Sequence, residues 1–195
     1  MKAVMLSIQP KWCELIASGK KTVEVRKTKP KIDVPFKCYI YETNWKDNTY
    51  WKNRHKGKLG KVIGEFVCDE IETLTERDLF EGMDEISNSR IEEYSRLSID
   101  ELLQYKGNKQ EIYAWHISDL VIYDKPKELS EFYVEGDCDC MNCRNCAWFD
   151  RGNGYNVEDD CNLAYKGASE HKSYKPIKRP FQSWGYVEEL KGETE

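Results

Sequence analysis

The sequence predicts an α+β chain, with short alternating strands towards both ends, helices gathered in the middle and one cysteine-rich insertion. Three observations predict it. Apolar residues alternate at Lys2 to Ile8 and Pro35 to Glu42, the mark of a half-buried strand, and Gly60 to Glu72, Ile112 to Tyr123 and Gln182 to Glu189 read as further strands. Two capping patterns, Thr75 with Asp78 and Ser98 with Glu101, open helices in an acidic middle region. A short polar side chain at a helix start accepts from backbone N–H groups that have no partner in the first turn. Five of the eight cysteines crowd between Asp137 and Asn162. At 195 residues the chain is expected to be one domain over 1–195 with an insertion over 127–178, long enough to bury a core.

In the first strand, Ala3, Met5 and Ser7 oppose Val4, Leu6 and Ile8. Pro10 suits the first turn of a helix, where its missing N–H costs nothing, and Trp12, Cys13, Leu15 and Ile16 give that helix its apolar stripe. Gly19 closes it, because glycine tolerates the left-handed turn. The stretch Gly19 to Arg26, GKKTVEVR, then places charge at alternate positions. If Thr22 to Lys27 is extended, Val23 and Val25 point one way and Thr22, Glu24 and Arg26 the other. A carboxylate and a guanidinium side by side can pair with each other or with a ligand; the plainer reading is a solvated pair on an edge strand. Strict alternation sets Lys21 opposite Glu24, so the two act together only if the strand begins after Lys21 or a bulge intervenes.

After a central strand at Pro35 to Glu42, the segment Trp45 to Lys61 changes character. Trp45, Tyr50, Trp51 and His55 are interleaved with Lys46, Lys52, Arg54, Lys56, Lys58 and Lys61, opposed only by Asp47. Rings that stack bases beside cations that meet phosphates are what single-stranded nucleic acid requires, which makes Trp45, Trp51, Lys52 and Arg54 candidate ligand-binding residues. The alternative is a long hairpin loop whose tryptophans fold onto the core. Residues 1–61 hold 15 Lys or Arg against 5 Asp or Glu, a basic face on a chain of net charge -5 that suits nucleic acid or phosphate. Further on, Gly82 and Gly107 are expected to end the two capped helices, a region with no evident chemistry. Trp115 is expected in the core and His116 in a structural role. No apolar run approaches the ~20 residues of a membrane helix, so no membrane is expected, and the protein is expected to be soluble and cytoplasmic.

Cys13, Cys38 and Cys68 sit singly in apolar patterns and read as small core residues. The cluster, a knuckle over 138–161, is different. Cys143 and Cys146 form a CxxC pair, Cys161 returns after a glycine-bearing turn, and Cys138 or Cys140 supplies a fourth thiolate. Four thiolates in this spacing hold tetrahedral zinc in a structural site, with no position open for catalysis; an iron–sulfur cluster uses the same ligands.

Gly19, Lys21, Glu24 and Arg26 match the GxKxxExR pattern of the ASCH family, and the chain resembles that family again at Lys61 to Ile71, Glu111 to Pro126 and Arg179 to Leu190. The resemblance implies a PUA-like mixed β-barrel with flanking helices, and a cleft beside Gly19 to Arg26 that binds RNA or a modified nucleoside. Lys21 and Arg26 would meet phosphate or a base edge, and Glu24 would accept from an amine or pair with Arg26. The resemblance also implies a second possibility. Some small members are amidohydrolases acting on N4-acetylcytidine, and Lys21, with Glu24, would then be catalytic. Those hydrolases carry threonine where this chain has Glu24, and their distant glutamate would fall among Glu65, Glu70 and Glu72. A third reading is a protein-interaction module.

Overall fold

A computed structural model describes residues 2–44, 49–81, 87–136 and 173–190. Its centre is β1 (Lys2–Ile8), buried along nearly its whole length. It runs parallel to β3 (Phe36–Glu42) on one side and antiparallel to β10 (Trp184–Glu188) on the other. With β4 (Val62–Cys68) and β7 (Ser118–Lys127) these make a five-stranded sheet in the order β10-β1-β3-β4-β7. The predicted alternation decides its two faces. Val4, Leu6, Ile8, Cys38 and Ile40 pack with α1 (Pro10–Ala17) in one core, while Ala3, Met5, Tyr39 and Tyr41 pack with Phe132 and Ile177 in another. Among the described residues, no helix is long and apolar enough to cross a membrane.

A second sheet has the order β2-β6-β5, from Val23–Arg26, Glu111–His116 and Ile71–Thr75. The single strands expected over Gly60 to Glu72 and Ile112 to Tyr123 are each two strands, one in each sheet. The chain turns from β4 to β5 through Asp69 and Glu70, and from β6 to β7 through Ile117. Both turns share one corner: Ser118 Oγ donates to Val67 O at 2.9 Å, and the backbone N–H groups of His116 and Ile117 donate to Glu70 O and Thr22 O. Asp119 takes a positive φ there. Strands that switch sheets at corners keep both halves apolar, which is why the pattern looked continuous. Among the described residues the two sheets meet at this corner and no closed barrel is formed.

Gly64 lies in β4, where the register with β7 shifts on either side of it. A Cβ there would run into the Val121 carbonyl oxygen of β7, so only glycine permits this close approach.

Among the described residues the acidic middle holds three helices rather than two: α3 (Glu76–Glu81), α4 (Ser87–Ser95) and α5 (Ile99–Lys106). Both predicted caps form. Asp78 accepts from Thr75 N, and Ser98 and Glu101 make a reciprocal capping box at the start of α5. Gly107 ends α5 with φ of 57°, while Gly82 lies outside the described residues. The segment between β3 and β4 includes α2 (Thr49–Arg54) where a loop was expected. β8 (Tyr133–Gly136) and β9 (Ser173–Pro176) form a two-stranded ladder, and Val134 and Ile177 fix it to the second core. Cys138, Cys140, Cys143, Cys146 and Cys161 lie outside the described residues. Cys13, Cys38 and Cys68 are buried and free, as expected.

Candidate functional site

The end of α1 brings the charged motif together. Gly19, with φ of 70°, turns the chain back, and the N–H groups of Lys20 and Lys21 both donate to Leu15 O, at 2.9 and 3.0 Å. Lys21 is therefore still in the helix-terminating turn. The extended strand starts only at Val23, so the alternation rule does not reach Lys21, and its side chain joins those of Glu24 and Arg26 on one side.

There the three form a buried ionic chain. Glu24 Oε2 lies 3.3 Å from Lys21 Nζ, and Glu24 Oε1 lies 3.0 Å from an Arg26 guanidinium nitrogen. Lys21 is 2% exposed and Glu24 and Arg26 are 7% exposed, which excludes a solvated surface pair. Lys21 Nζ also donates to Ser95 O at 2.7 Å and lies 5.1 Å from the centre of the Trp12 ring. Arg26 donates to Ser7 O at 3.0 Å and to both oxygens of Ser183 at 3.3 Å, while its Nε–H is buried without a partner among the described residues. Burial holds the Lys21 ammonium below the ordinary lysine pKa, against the pull of Glu24. Two cations to one anion leave this floor positive.

A cleft of about 980 Å³ opens over that floor. Trp12 and Gln9 of the α1 region form one wall, Gln104 and Tyr105 of α5 another, and Gln182 and Ser183, just before β10, a third. Lys27 extends the cationic floor, its Nζ 5.0 Å from the centre of the Tyr105 ring. The cleft thus offers two aromatic rings, several amide groups and fixed positive charge, which together can stack a base, read its edge and meet an anionic oxygen.

The helical middle, which showed no chemistry in the sequence, supplies the Ser95 carbonyl and one wall. One signal was available: Glu101, Gln104 and Tyr105 share a helix face at spacings of three and four. Of the basic-aromatic candidates, Arg54 turns to the far side of α1, where it pairs with Glu14. Trp45 lies outside the described residues, as do the side chains of Trp51 and Lys52 in α2. None of Glu65, Glu70 and Glu72 lines the cleft. Glu65 instead bonds Lys37, at 2.9 Å, and Tyr123. Besides Glu24, the cleft has Glu101, which caps α5 through Ser98 N at 2.9 Å.

Fold and site together define a PUA-like α+β domain with a cation-floored cleft. The ASCH domain family model matches residues 6–127, well over half of the chain, and the protein belongs to the ASCH family, whose domains are of the RNA-binding type. Among solved structures, it is similar to the ASCH protein of Zymomonas mobilis. A tyrosine-to-phenylalanine variant of that protein aligns with TM-score 0.50 at 20% identity, over 84% of this chain and 98% of that one. The unsubstituted form aligns with TM-score 0.49, also at 20% identity, over 84% and 94%. No curated protein matches the chain.

Proposed function

We propose that this ASCH domain recognises RNA or a modified nucleoside in the cleft above Lys21, Glu24 and Arg26, and binds its ligand without transforming it. The observation that carries this reading is the saturation of the motif. Both Glu24 oxygens are held by Lys21 and Arg26, and the Lys21 ammonium is bound by Glu24 and the Ser95 carbonyl. A nucleophile or base needs a free lone pair facing the substrate, whereas a fixed positive floor needs only to stay in place. The unpartnered Arg26 Nε–H gives a carbonyl or phosphate oxygen a donor.

One observation favours an amidohydrolase acting on an N-acylated nucleoside: burial already lowers the Lys21 pKa, and an uncharged amine would be nucleophilic. Incubation with acylated and plain nucleosides and with short RNA oligomers, reading both turnover and tryptophan fluorescence, separates the two. Binding without turnover is expected, weakened in Tyr105→Ala by about 1–3 kcal/mol if a base stacks there. Turnover lost in Lys21→Ala would establish the hydrolase, and silence with every ligand would leave the protein-interaction reading.

We further propose that Cys143, Cys146 and Cys161, with Cys138 or Cys140, hold one structural zinc. Metal analysis should find about one zinc per chain; brown protein containing iron would indicate a cluster instead. Alkylation at pH 8 adds an internal control. Burial pushes the Cys68 thiol up to about 12 and raises those of Cys13 and Cys38 well above the ordinary range, so the reactive thiolate is scarce at that pH. These three are expected to stay unmodified with or without a chelator, while the clustered cysteines react only after chelation. Equal labelling of all eight in native protein would refute both assignments.

A further inference from the structure

The sheet face of α1 borders a second opening, separate from the cleft. It is a groove of about 440 Å³ between α1, the end of β3 and the segment following α2. At its base sits Glu42, fully buried. Glu42 Oε1 is hydrogen-bonded to His55 Nδ1, but Oε2 has no partner among the described residues. Buried polar oxygens are almost always bonded, and a carboxylate oxygen left without a donor is costly. The neighbouring charges do not supply one. Arg54 is held by Glu14 through Nε at 3.1 and 3.2 Å, and the His55 Nε2 lies 3.9 Å from Glu14. Cys13, also in the groove, directs its thiol to Ile8 O at 3.6 Å.

The rest of the lining is an apolar side, Ala17 on α1 with Ile63 and Ile122 from the sheet, and a polar edge formed by Ser18 and Lys58. A ligand that completes this site therefore presents N–H donors and positive charge at one end and a short hydrocarbon at the other. Lys58 at the rim restricts the ligand to a single positive charge. We propose that this groove is a second ligand site, taking a small primary alkylammonium ion whose nitrogen donates to Glu42 Oε2 and whose stem lies on Ile63 and Ile122. The site is independent of the nucleic-acid reading of the cleft.

Thermal unfolding of the full chain in butylammonium chloride tests this, against tetramethylammonium chloride and sodium chloride at equal ionic strength. Tetramethylammonium carries the charge but has no N–H. Butylammonium is expected to raise Tm saturably, by about 3–6 °C at tenfold excess over its dissociation constant, with no such rise in the other salts. The rise should vanish in Glu42→Gln and in Ala17→Leu. The latter fills the groove from an exposed helix position, so it keeps the test decisive if the Glu42 variant does not fold. Equal Tm in all three salts, or an unchanged butylammonium effect in Ala17→Leu, overturns the proposal.

Discussion

Replacing Glu24 with alanine is expected to lower the unfolding free energy by about 3–5 kcal/mol, because it leaves Lys21 and Arg26 buried with no anion between them. Isolated charges in a low-dielectric interior are costly, and here two like charges would also repel. Urea denaturation read by tryptophan fluorescence measures the loss. Its pH dependence identifies the cause. The Lys21 pKa is already below the ordinary value in the folded protein, and without Glu24 it falls further. Between the folded and unfolded pKa values the unfolded chain binds more protons, so stability rises with pH through that window. The penalty is full below the folded pKa and is relieved as pH climbs towards the unfolded one. The deficit of Glu24→Ala should thus shrink in mildly alkaline buffer. A deficit independent of pH, or one under 1 kcal/mol, would show that the triad does not behave as a buried charge network.

Trp115→Ala should cost a similar amount, about 3–5 kcal/mol, for an apolar reason. The ring is fully buried. It lies in β6 of the small sheet yet packs in the core of the large one, edge-on to Phe36 at 5.8 Å and 5.9 Å from Trp184. Its backbone pairs with Glu24 on one side and Ile71 on the other. Deleting it empties the space where the sheets meet and loosens the floor of the cleft. For a chain of this size the loss corresponds to a fall in Tm of roughly 6–20 °C. A smaller fall, with ligand binding intact, would mean that the corner is held by its backbone bonds alone.

The local signals in the sequence were reliable where one physical rule governed the position. Alternation sorted β1 and β3 correctly between two cores, and the Thr75–Asp78 and Ser98–Glu101 caps formed as their spacing required. Free thiols at Cys13, Cys38 and Cys68 followed from their single placement in apolar runs. The rule failed at sheet corners, where one strand was read straight through Asp69–Glu70 and another through Ile117 although the chain changes sheet at both. It also missed α4, a short helix of low apolar content, and read the segment containing α2 as a loop.

In the sequence, Lys21, Glu24 and Arg26 stood out through the resemblance of GKKTVEVR to the ASCH pattern rather than through their spacing, which fitted a solvated pair equally well. That these charges are buried and bound to one another came from the packing of the whole chain. That outcome depends on Ser95, Ser7 and Ser183, which lie 74 residues after Lys21 and 19 residues before and 157 residues after Arg26. It depends equally on α5 closing one wall of the cleft. Hydrogen-bond partners and desolvation at such separations come from how the sheets and helices pack, and no local period in the chain encodes them.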